Sequence, residues 1–288
     1  MSQRSELGEL VLGSCRIRVI NAGTHWWDAG TFFGVVPKTM WSKRMVPDDL
    51  NRLRFAFNCC LVETGEHTVL VETGAGDRLS PMELSRMNMP APLPPMPEFL
   101  TGLGIDPERI DLVVNTHLHF DHCGGNTVAR NGGYVAAFHR ARYVTQRGEW
   151  EHAHRRHPRD SVSYRDSNYD PLVQSGQMEL LTGNVEIVPG IQLEVVPGHN
   201  RDMMVVRVRS EGETFCFLSD LVPTAHHVKP TWIAAVDLDP LTAIDNKTRL
   251  LAQAAAENWW CAYAHDADTR FSRVKNTDGK LEAIECRS

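Results

Sequence analysis

The chain contains 288 residues, of which 42% are hydrophobic and 23% charged, and its formal net charge at pH 7 is -6. This length and composition are typical of a globular protein with a large core. The negative charge and the lack of a basic cluster with interleaved aromatic residues argue against nucleic-acid binding, and the short basic run at 152–159 is interpreted as a solvated helix end. No run of about 18 apolar residues occurs, so the sequence predicts no membrane span.

Targeting signals and disulfides are not evident in the sequence. Residues 1–23 lack a hydrophobic stretch before a small-residue cleavage site, which predicts a cytoplasmic location. The seven cysteines are odd in number and irregularly spaced, and Cys59 and Cys60 are adjacent on a predicted strand, so we expect buried thiols. No Gly/Ser-rich or charged linker divides the chain, which predicts a single domain over 1–288.

Strand-like segments dominate the chain, and helical segments are fewer. The predicted strands cover 16–23, 55–65, 67–77, 133–139, 185–198, 203–220 and 259–266. The turn Gly65-Glu66 predicts a hairpin between the second and third of them. The clearest predicted helix is 239–259, where Pro240 suits a first turn, and weaker helical patterns occur near 97–104 and 141–155.

Residues 80–100, SPMELSRMNMPAPLPPMPEFL, are rich in proline and methionine. This density predicts a long irregular loop. Its apolar content favours packing on the surface of the same domain, where the loop would cover a site or contact a second subunit. The segment is therefore consistent with a homodimer. The hairpins in each half of the chain, each half closed by helices, predict an α+β fold of two face-to-face sheets with helices outside.

One short motif carries most of the chemical information. The apolar run 110–114 predicts a buried strand, and the sequence NTHLHFDHCGGN at 115–126 follows it directly. Within this motif, His117, His119, Asp121 and His122 lie inside six residues. A chance occurrence of His-x-His-x-Asp-His directly after a strand is improbable, so we interpret the motif as a metal site.

Further candidate ligands follow later apolar runs. His199 occurs in VVPGHN, Asp220 in CFLSD and His265 in CAYAHD, each at the predicted end of a strand. Any one of them alone is read as a structural residue, but their common position at strand ends favours a shared site at the rim of a sheet.

The candidate ligands are too numerous for one tetrahedral ion. Five imidazoles and two carboxylates are enough for two divalent ions, for which zinc is expected. One division assigns His117, His119 and His199 to the first ion and Asp121, His122 and His265 to the second, with Asp220 bridging both. Such a site, roughly 3.5 to 4 Å across, would hold a shared deprotonated water near neutral pH.

The ordered motifs THLHFDH, PGH, LSD and AHD resemble the metallo-β-lactamase superfamily of metallohydrolases. The resemblance extends from VLVETGAGD at 69–77 to His265. It implies a four-layer αβ/βα sandwich with metals at one edge of the two sheets, and it implies the ligand division given above. FGVVPKTMW at 33–41, SDLVPTAHH at 219–227 and DLDP at 237–240 resemble the branch that includes methyl parathion hydrolase and the quorum-quenching lactonases.

The chain departs from the pattern of that family at two positions. The family usually has Asp-Thr-Gly where this chain has Glu72-Thr73-Gly74, so a longer carboxylate is expected to support the ligands. The related lactonases carry a tyrosine three residues after the bridging aspartate, and here that residue is Pro223. Lactone hydrolysis therefore lacks one expected contributor.

The predicted reaction is hydrolysis of an apolar small molecule, either an ester, a lactone or a phosphotriester. A metal-bridging hydroxide would attack the carbonyl or phosphoryl centre, while Asp121 orients the nucleophile and accepts a proton. Aromatic residues in predicted loops and loop edges are candidates for an apolar entrance. They are Trp26, Trp27, Phe32, Phe33, Trp41 and Trp232, of which we select Trp26, Phe33 and Trp41, together with His226, as candidate substrate contacts.

Three other functions are compatible with parts of the pattern. A mononuclear iron dioxygenase of the persulfide type uses two histidines and a carboxylate, but it has no need of the second ligand set. A zinc-stabilised binding protein would be expected to use cysteine ligands, which are absent from the set. A nuclease of the same superfamily is disfavoured by the net charge.

Overall fold

Apolar segments of the sequence form two large β-sheets with helices on their outer faces. The computed structural model describes residues 7–287. The strands are β1 (Leu7–Leu12), β2 (Cys15–Asp28), β3 (Arg52–Glu63), β4 (Thr68–Val71), β5 (Leu112–Val114), β6 (Thr127–Arg130), β7 (Gly133–Ala136), β8 (Arg142–Gln146), β9 (Met178–Leu181), β10 (Val185–Val188), β11 (Ile191–Val195), β12 (Met204–Ser210), β13 (Glu213–Phe217), β14 (Trp260–Ala262), β15 (Phe271–Thr277) and β16 (Lys280–Arg287). The α-helices are α1 (Ala29–Phe33), α2 (Lys38–Trp41), α3 (Pro81–Arg86), α4 (Met96–Gly102), α5 (Phe120–Cys123), α6 (Arg147–Arg155), α7 (Asp170–Gln174) and α8 (Pro240–Ala256).

The first sheet has the strand order β1-β2-β3-β4-β5-β8-β9. Its first four strands are antiparallel neighbours, whereas β4, β5, β8 and β9 run parallel. The predicted hairpin is confirmed, because Glu63 of β3 pairs with Thr68 of β4. The parallel strands β4 and β5 therefore end at the same edge of this sheet.

The second sheet has the strand order β10-β11-β12-β13-β14-β15-β16. Its neighbours are antiparallel except for β13 and β14, which run parallel and are connected through α8. The long predicted helix at 239–259 is confirmed as α8, which begins at Pro240 with the Asp239 side chain accepting a hydrogen bond from the Thr242 amide. Each sheet thus contains a parallel pair whose carboxyl ends can supply ligands.

The apolar side chains form a layered core. Between the sheets, Val19 and Val71 of the first sheet belong to the same buried cluster as Val206 and Phe217 of the second. The outer face of the first sheet packs against a second cluster that includes α4, α6 and α7, and the outer face of the second sheet packs against α8. The predicted four-layer αβ/βα sandwich is confirmed. Among residues 7–287, no helix has the length and apolarity that crossing a membrane requires.

Several predicted segments differ from the structure. The segment 80–100 is not entirely irregular, because Ser80 and Glu83 form a capping box at the start of α3 and proline in the first turn favours α4. The segment 141–155 divides into β8 and α6. The strand predicted over 67–77 ends at Val71, since Glu72 takes a positive φ of 65°.

The cysteines are free thiols, as expected, but they are not all buried. Six of the seven are buried, whereas Cys286 near the end of the terminal strand β16 is exposed. Cys59 and Cys60 lie on opposite faces of β3, so each contributes to a different core cluster. β16 is an edge strand, so part of its side chains remains exposed to solvent. The sequence pattern did not indicate this.

Two glycines allow the turn after β4 to pass close to the end of α5. A Cβ atom at Gly124 would lie 2.2 Å from the carbonyl oxygen of Ala75, and one at Gly76 would lie 2.3 Å from the carbonyl oxygen of Gly124. The Gly124 amide also donates to the Gly74 carbonyl at 2.8 Å. This contact fixes α5, which carries Asp121 and His122, against the first sheet.

We expect Gly124→Ala to lower the free energy of unfolding by about 1–3 kcal/mol, because the added methyl group overlaps backbone atoms. Urea unfolding of the variant measures the effect. Gly65→Ala is the matched control, since a Cβ at Gly65 meets no heavy atom within 4 Å. Equal midpoints for the two variants would contradict the importance of this contact.

Candidate metal centre

The candidate ligands converge where strands of both sheets end. The segment after β5 carries His117, the first residues of α5 follow it, and the turns after β13 and β14 carry Asp220 and His265. His199 follows β11. All seven predicted ligands come together at this edge: His117, His119, Asp121, His122, His199, Asp220 and His265.

The ligand atoms form two neighbouring sets. Suitable atoms of His117, His119 and His199 lie within 4.8 Å of one another. Suitable atoms of Asp121, His122 and His265 form the second set and satisfy the same limit.

Asp220 lies between the two sets. Its Oδ2 is 3.4 Å from Nε2 of His199, which belongs to the first set. Its Oδ1 is 3.1 Å from Nε2 of His265 and 3.4 Å from Nε2 of His122, which belong to the second. One carboxylate therefore faces both groups of imidazoles, in the arrangement that a bridging ligand requires.

The imidazoles are buried, and several of their nitrogen atoms have no hydrogen-bond partner within residues 7–287. Nε2 of His117 and His122 is unpaired, and so is Oδ1 of Asp220, whereas Nδ1 of His119 lies 3.2 Å from Nε2 of His199. Buried polar atoms are nearly always paired in folded proteins. Unpaired nitrogen and carboxylate oxygen atoms directed at one another are the donor set that a divalent cation such as zinc satisfies.

Hydrogen bonds on the far side of the rings fix their orientation. Nδ1 of His199 lies 2.9 Å from Oδ1 of the buried Asp237, and Nδ1 of His265 donates to the Ala56 carbonyl at 3.0 Å. These contacts direct Nε2 of both rings toward Asp220. Such outer partners usually set the tautomer and the basicity of a ligating histidine.

Glu72 connects the ligand-bearing segments of the two sheets. Its carboxylate accepts hydrogen bonds from the amide of Thr116 at 3.2 Å and from the hydroxyl of the same residue. That hydroxyl is 3.1 Å from Nδ1 of His117 and 2.7 Å from the hydroxyl of Ser219, which precedes Asp220. Burial raises the pKa of Glu72, although His122 and Thr116 act in the opposite direction.

The electrostatics of the centre favour bound cations. Burial alone would raise the pKa of Asp220, yet the imidazoles of His122, His265 and His199 hold it well below its usual range. Burial lowers the pKa of His122, but Asp220 and Asp121 together raise it well above the ordinary value. The carboxylates of Asp121 and Asp220 therefore favour a positive charge at this position, which a metal ion can supply.

A cleft opens over the centre. Ligands on its floor include His119, Asp121 and His265, and its walls are mainly apolar. The wall residues are Trp27, Phe32, Phe57, Met87, Phe120, Pro223, Ala234 and Val236, with the polar His25, Thr31, Arg159, Asp160 and Ser163 between them. Mostly apolar walls with a few polar groups are typical of a site for a small organic molecule.

Three segments of the cleft wall are hydrogen-bonded to one another. The amide of Ala235 donates to the carbonyl of Thr31 at 2.9 Å. The guanidinium of Arg159 donates to the carbonyl of Ala235. The segment after β2, the segment after α6 and the segment before α8 therefore meet at the cleft.

The four predicted substrate contacts lie outside the lining of this cleft. Trp26 is half-buried on β2, where it pairs with Arg54. Phe33 and Trp41 are buried in an apolar cluster, with their rings stacked 5.2 Å apart. His226 lines a separate depression together with Arg44 and Lys229, among others.

Neighbours of the predicted residues occupy the cleft instead. Trp27 and Phe32 line it, each one position from a selected residue. For Trp27, a bulge in β2 between Asn21 and Thr24 changes the facing of the strand residues that follow it. Phe32 lies on α1, where Phe33 is instead buried against Trp41. His25 also lines the cleft, and no sequence motif had indicated it.

A buried lysine supports the segment that carries Asp237. Lys247 of α8 is 1% exposed, and its Nζ donates to the carbonyl of Trp232 at 2.7 Å. Burial lowers the pKa of Lys247 to about 8, against a smaller opposing influence of Asp237. Helix α8 is thereby connected to Trp232 and to the segment that carries Asp237, the partner of His199.

Comparison with known proteins identifies the family. The sequence pattern of the Metallo-beta-lactamase superfamily matches residues 54–265. The chain belongs to this superfamily. It is 29% identical over 171 residues to an N-acyl homoserine lactonase of Bacillus cereus, a match that spans 56% of this chain and 61% of that protein.

Solved structures show the same fold over nearly the whole chain. A probable metal-dependent hydrolase from Staphylococcus aureus superposes with a TM-score of 0.86 and 27% identity, covering 97% of this chain and all (100%) of that one. AidC, a dizinc quorum-quenching lactonase, superposes with a TM-score of 0.79 and 18% identity, covering 98% and 97% of the two chains. The chain is therefore a hydrolase-family enzyme with lactonase homologues.

Lys247 predicts a specific dependence of stability on pH. Its pKa is about 8 in the folded protein against 10.5 for a free side chain, so between these values the unfolded state binds more protons and stability rises with pH. The unfolding free energy of wild type minus that of Lys247→Met should rise by on the order of 3 kcal/mol over this interval. Urea unfolding at pH 7.5 and pH 10.5 measures it.

The exposed Lys275 provides the control for this measurement. Lys275→Met removes the same charge from the surface of β15, where no burial cost opposes the charged form. A pH-independent difference for Lys247→Met would contradict a buried lysine whose charge opposes folding.

Proposed function

We propose that this protein is a dinuclear metal-dependent hydrolase that cleaves an ester-type bond, foremost that of a lactone, in an apolar small molecule. The observation that carries the proposal is the position of Asp220 between two sets of imidazole and carboxylate ligands. The similarity to N-acyl homoserine lactonases supports the lactone class. An ester or a phosphotriester substrate is compatible with the same centre.

The proposed ligands follow the two sets found at the strand ends. His117, His119 and His199 would hold one divalent cation, for which zinc is proposed. Asp121, His122 and His265 would hold the second cation. Asp220 would contact both cations. Two such cations lower the pKa of a water between them and stabilise negative charge on a carbonyl oxygen.

Asp121 is placed to handle a proton. It lines the cleft, its side chain is 22% exposed, and its Oδ2 lies 3.8 Å from Nε2 of both His122 and His265. Burial raises its pKa, but His122 and His265 outweigh this and keep the pKa below its ordinary value. We propose that its carboxylate orients the attacking water and accepts its proton.

The apolar walls are proposed to bind the hydrophobic part of the substrate. Phe32, Phe57 and Phe120 offer ring surface beside the ligands. Burying an acyl chain against them excludes water from the reacting bond and strengthens electrostatic interactions at the centre. The homodimer and the cytoplasmic location stay predictions of the sequence.

Metal analysis of protein purified without chelator should find about two zinc-like ions per chain, because the ligands of the two sets are too numerous for one tetrahedral ion. His199→Ala should remove at least one of them. His154→Ala is the control, since His154, Asp166 and Asp170 form an exposed cluster that could collect ions unrelated to the reaction. One iron per chain with oxygen-dependent activity on a sulfur substrate would support the dioxygenase instead.

Asp121→Asn should lower kcat on lactones and aryl esters by about 10²–10⁴-fold, because an amide cannot accept the proton of the attacking water. Steady-state kinetics on both substrate classes, with a phosphotriester for comparison, measures this loss. The exposed Asp245→Asn serves as the control for removing a carboxylate. Full activity of Asp121→Asn with both ions retained would remove Asp121 from the proposed mechanism.

Asp237→Asn should weaken zinc binding about 10–100-fold, because His199 loses the carboxylate that orients its ring. Competition with a zinc-binding dye gives the affinity, independently of any activity. Unchanged affinity would show that the remaining contacts of His199 suffice to hold it.

A further inference from the structure

His25 occupies the cleft because of an irregularity in β2. The register between β2 and β3 shifts between Asn21 and Thr24, and His25 then pairs with Phe55. The Asn21 side chain stabilises the bulge by accepting from the Gly23 amide and donating to the Thr24 hydroxyl, both at 2.9 Å. Bulges commonly redirect a side chain into a functional site.

Aromatic contacts hold the His25 ring in one orientation beside the metal centre. The ring stacks on Phe57 with centroids 4.0 Å apart and planes 9° apart. It lies 6.2 Å from the ring of His265, nearly perpendicular to it, and 6.3 Å from the ring of Trp27. The side chain is therefore preorganised at the cleft wall next to a proposed ligand.

One polar atom of this ring, Nδ1, is not used by the fold. His25 is only 3% exposed, yet its Nδ1 has no hydrogen-bond partner within residues 7–287. A neutral imidazole always presents one N–H donor and one acceptor, and leaving them unpaired in a buried position destabilises a protein. A residue kept in this state is expected to serve a bound molecule.

The other side-chain donors of the cleft wall are less buried than His25, since Thr31 and Ser163 are half-buried and Arg159 is exposed. Phe32 and Phe57 are apolar, and Pro223 lines the cleft without an N–H group, its carbonyl accepting from the His265 amide at 2.9 Å. Arg159 lines the cleft but is exposed and already donates to the carbonyl of Ala235. His25 is the buried donor beside His265.

We infer that an N–H group of His25 donates a hydrogen bond to the carbonyl oxygen of the lactone or ester, which makes His25 a further catalytic residue. The inference rests on the proposed function. Because negative charge grows on this oxygen during attack, the hydrogen bond strengthens in the transition state and lowers the barrier.

The reaction balances without a change in the protonation of His25. Water adds its oxygen to the carbonyl carbon, its proton passes to Asp121, and the π electron pair moves onto the oxygen that His25 contacts. The pair then re-forms the carbonyl bond as the C–O bond to the leaving oxygen breaks. The leaving oxygen takes the proton from Asp121, which gives a hydroxy acid from a lactone.

The test compares His25→Phe with His25→Gln in the metal-loaded protein, using a γ-lactone with a six-carbon N-acyl chain and an aryl ester. His25→Phe preserves the ring but removes the donor, so kcat should fall about 10²–10³-fold with a smaller change in KM and with both ions retained. His25→Gln keeps an N–H donor and should recover at least tenfold of that loss. The exposed His139→Phe is the control.

Two results of this test would overturn the inference. Full kcat in His25→Phe would show that the donor is not used, and loss of a metal ion in that variant would show that His25 acts through His265. Urea unfolding of both variants separates these outcomes from a folding defect.

A binding measurement distinguishes failure of the inference from failure of the proposed function. Calorimetric titration of the zinc-loaded protein with the hydroxy acid product of the same lactone gives a dissociation constant without turnover. We expect His25→Phe to weaken this binding about tenfold, because a charged oxygen loses its donor. If wild type hydrolyses no substrate, the proposed function fails. The binding measurement still tests the contact: a weakened affinity in His25→Phe supports it, and an equal affinity overturns it.

Discussion

The structure depends on placing two carboxylates and five imidazoles, mostly buried, at one edge where two sheets meet. Such a group of charges and unpaired nitrogen atoms is unfavourable in a protein interior without a compensating cation. Parallel strands of both sheets end at this edge and bring the ligands together. Asp237, Thr116 and the Ala56 carbonyl contact the Nδ1 atoms of the rings and fix their orientation. Both sheets therefore contribute ligands to the centre.

The support behind the ligands reaches far from the cleft. Glu72 extends from the turn after β4 to Thr116, and Thr116 contacts Ser219 of the opposite sheet. Lys247 extends from the outer helix to Trp232, near Asp237. Because a buried carboxylate and a buried ammonium group both destabilise the fold unless they are well paired, their presence indicates that precise placement of the ligands outweighs maximal stability.

The candidate ligands could be found in the sequence because they have local signals. His117, His119, Asp121 and His122 lie within six residues of the chain, and Asp220 and His265 each follow an apolar run that is predicted as a strand. The grouping into two sets then appears in the coordinates as the sequence had divided them. The hairpins in each half of the chain, closed by helices, predicted two face-to-face sheets with helices outside, and the family resemblance implied the four-layer order.

The cleft wall had no such local signal. Whether Trp26 or Trp27 faces the cleft depends on a bulge that hydrogen bonds of Asn21 and Thr24 create, and a one-residue shift exchanges the two faces of a strand. Phe33 and Trp41 became core residues because they stack on each other, which requires the meeting of α1 and α2. His25 was missed because a single histidine in a strand is ordinarily unremarkable.

The hydrogen bonds among Thr31, Ala235 and Arg159 make substrate preference a collective property of three segments that are distant in sequence. A substitution in one segment displaces the others, so the effects of combined wall mutations on specificity should be non-additive. Most of the ligands belong to strand ends and to α5, outside this set of contacts, and His199 is coupled to the wall through Asp237, which has to be retained. Divergence of substrate range on this scaffold can therefore proceed by coordinated changes at the mouth while the chemistry at the floor is conserved.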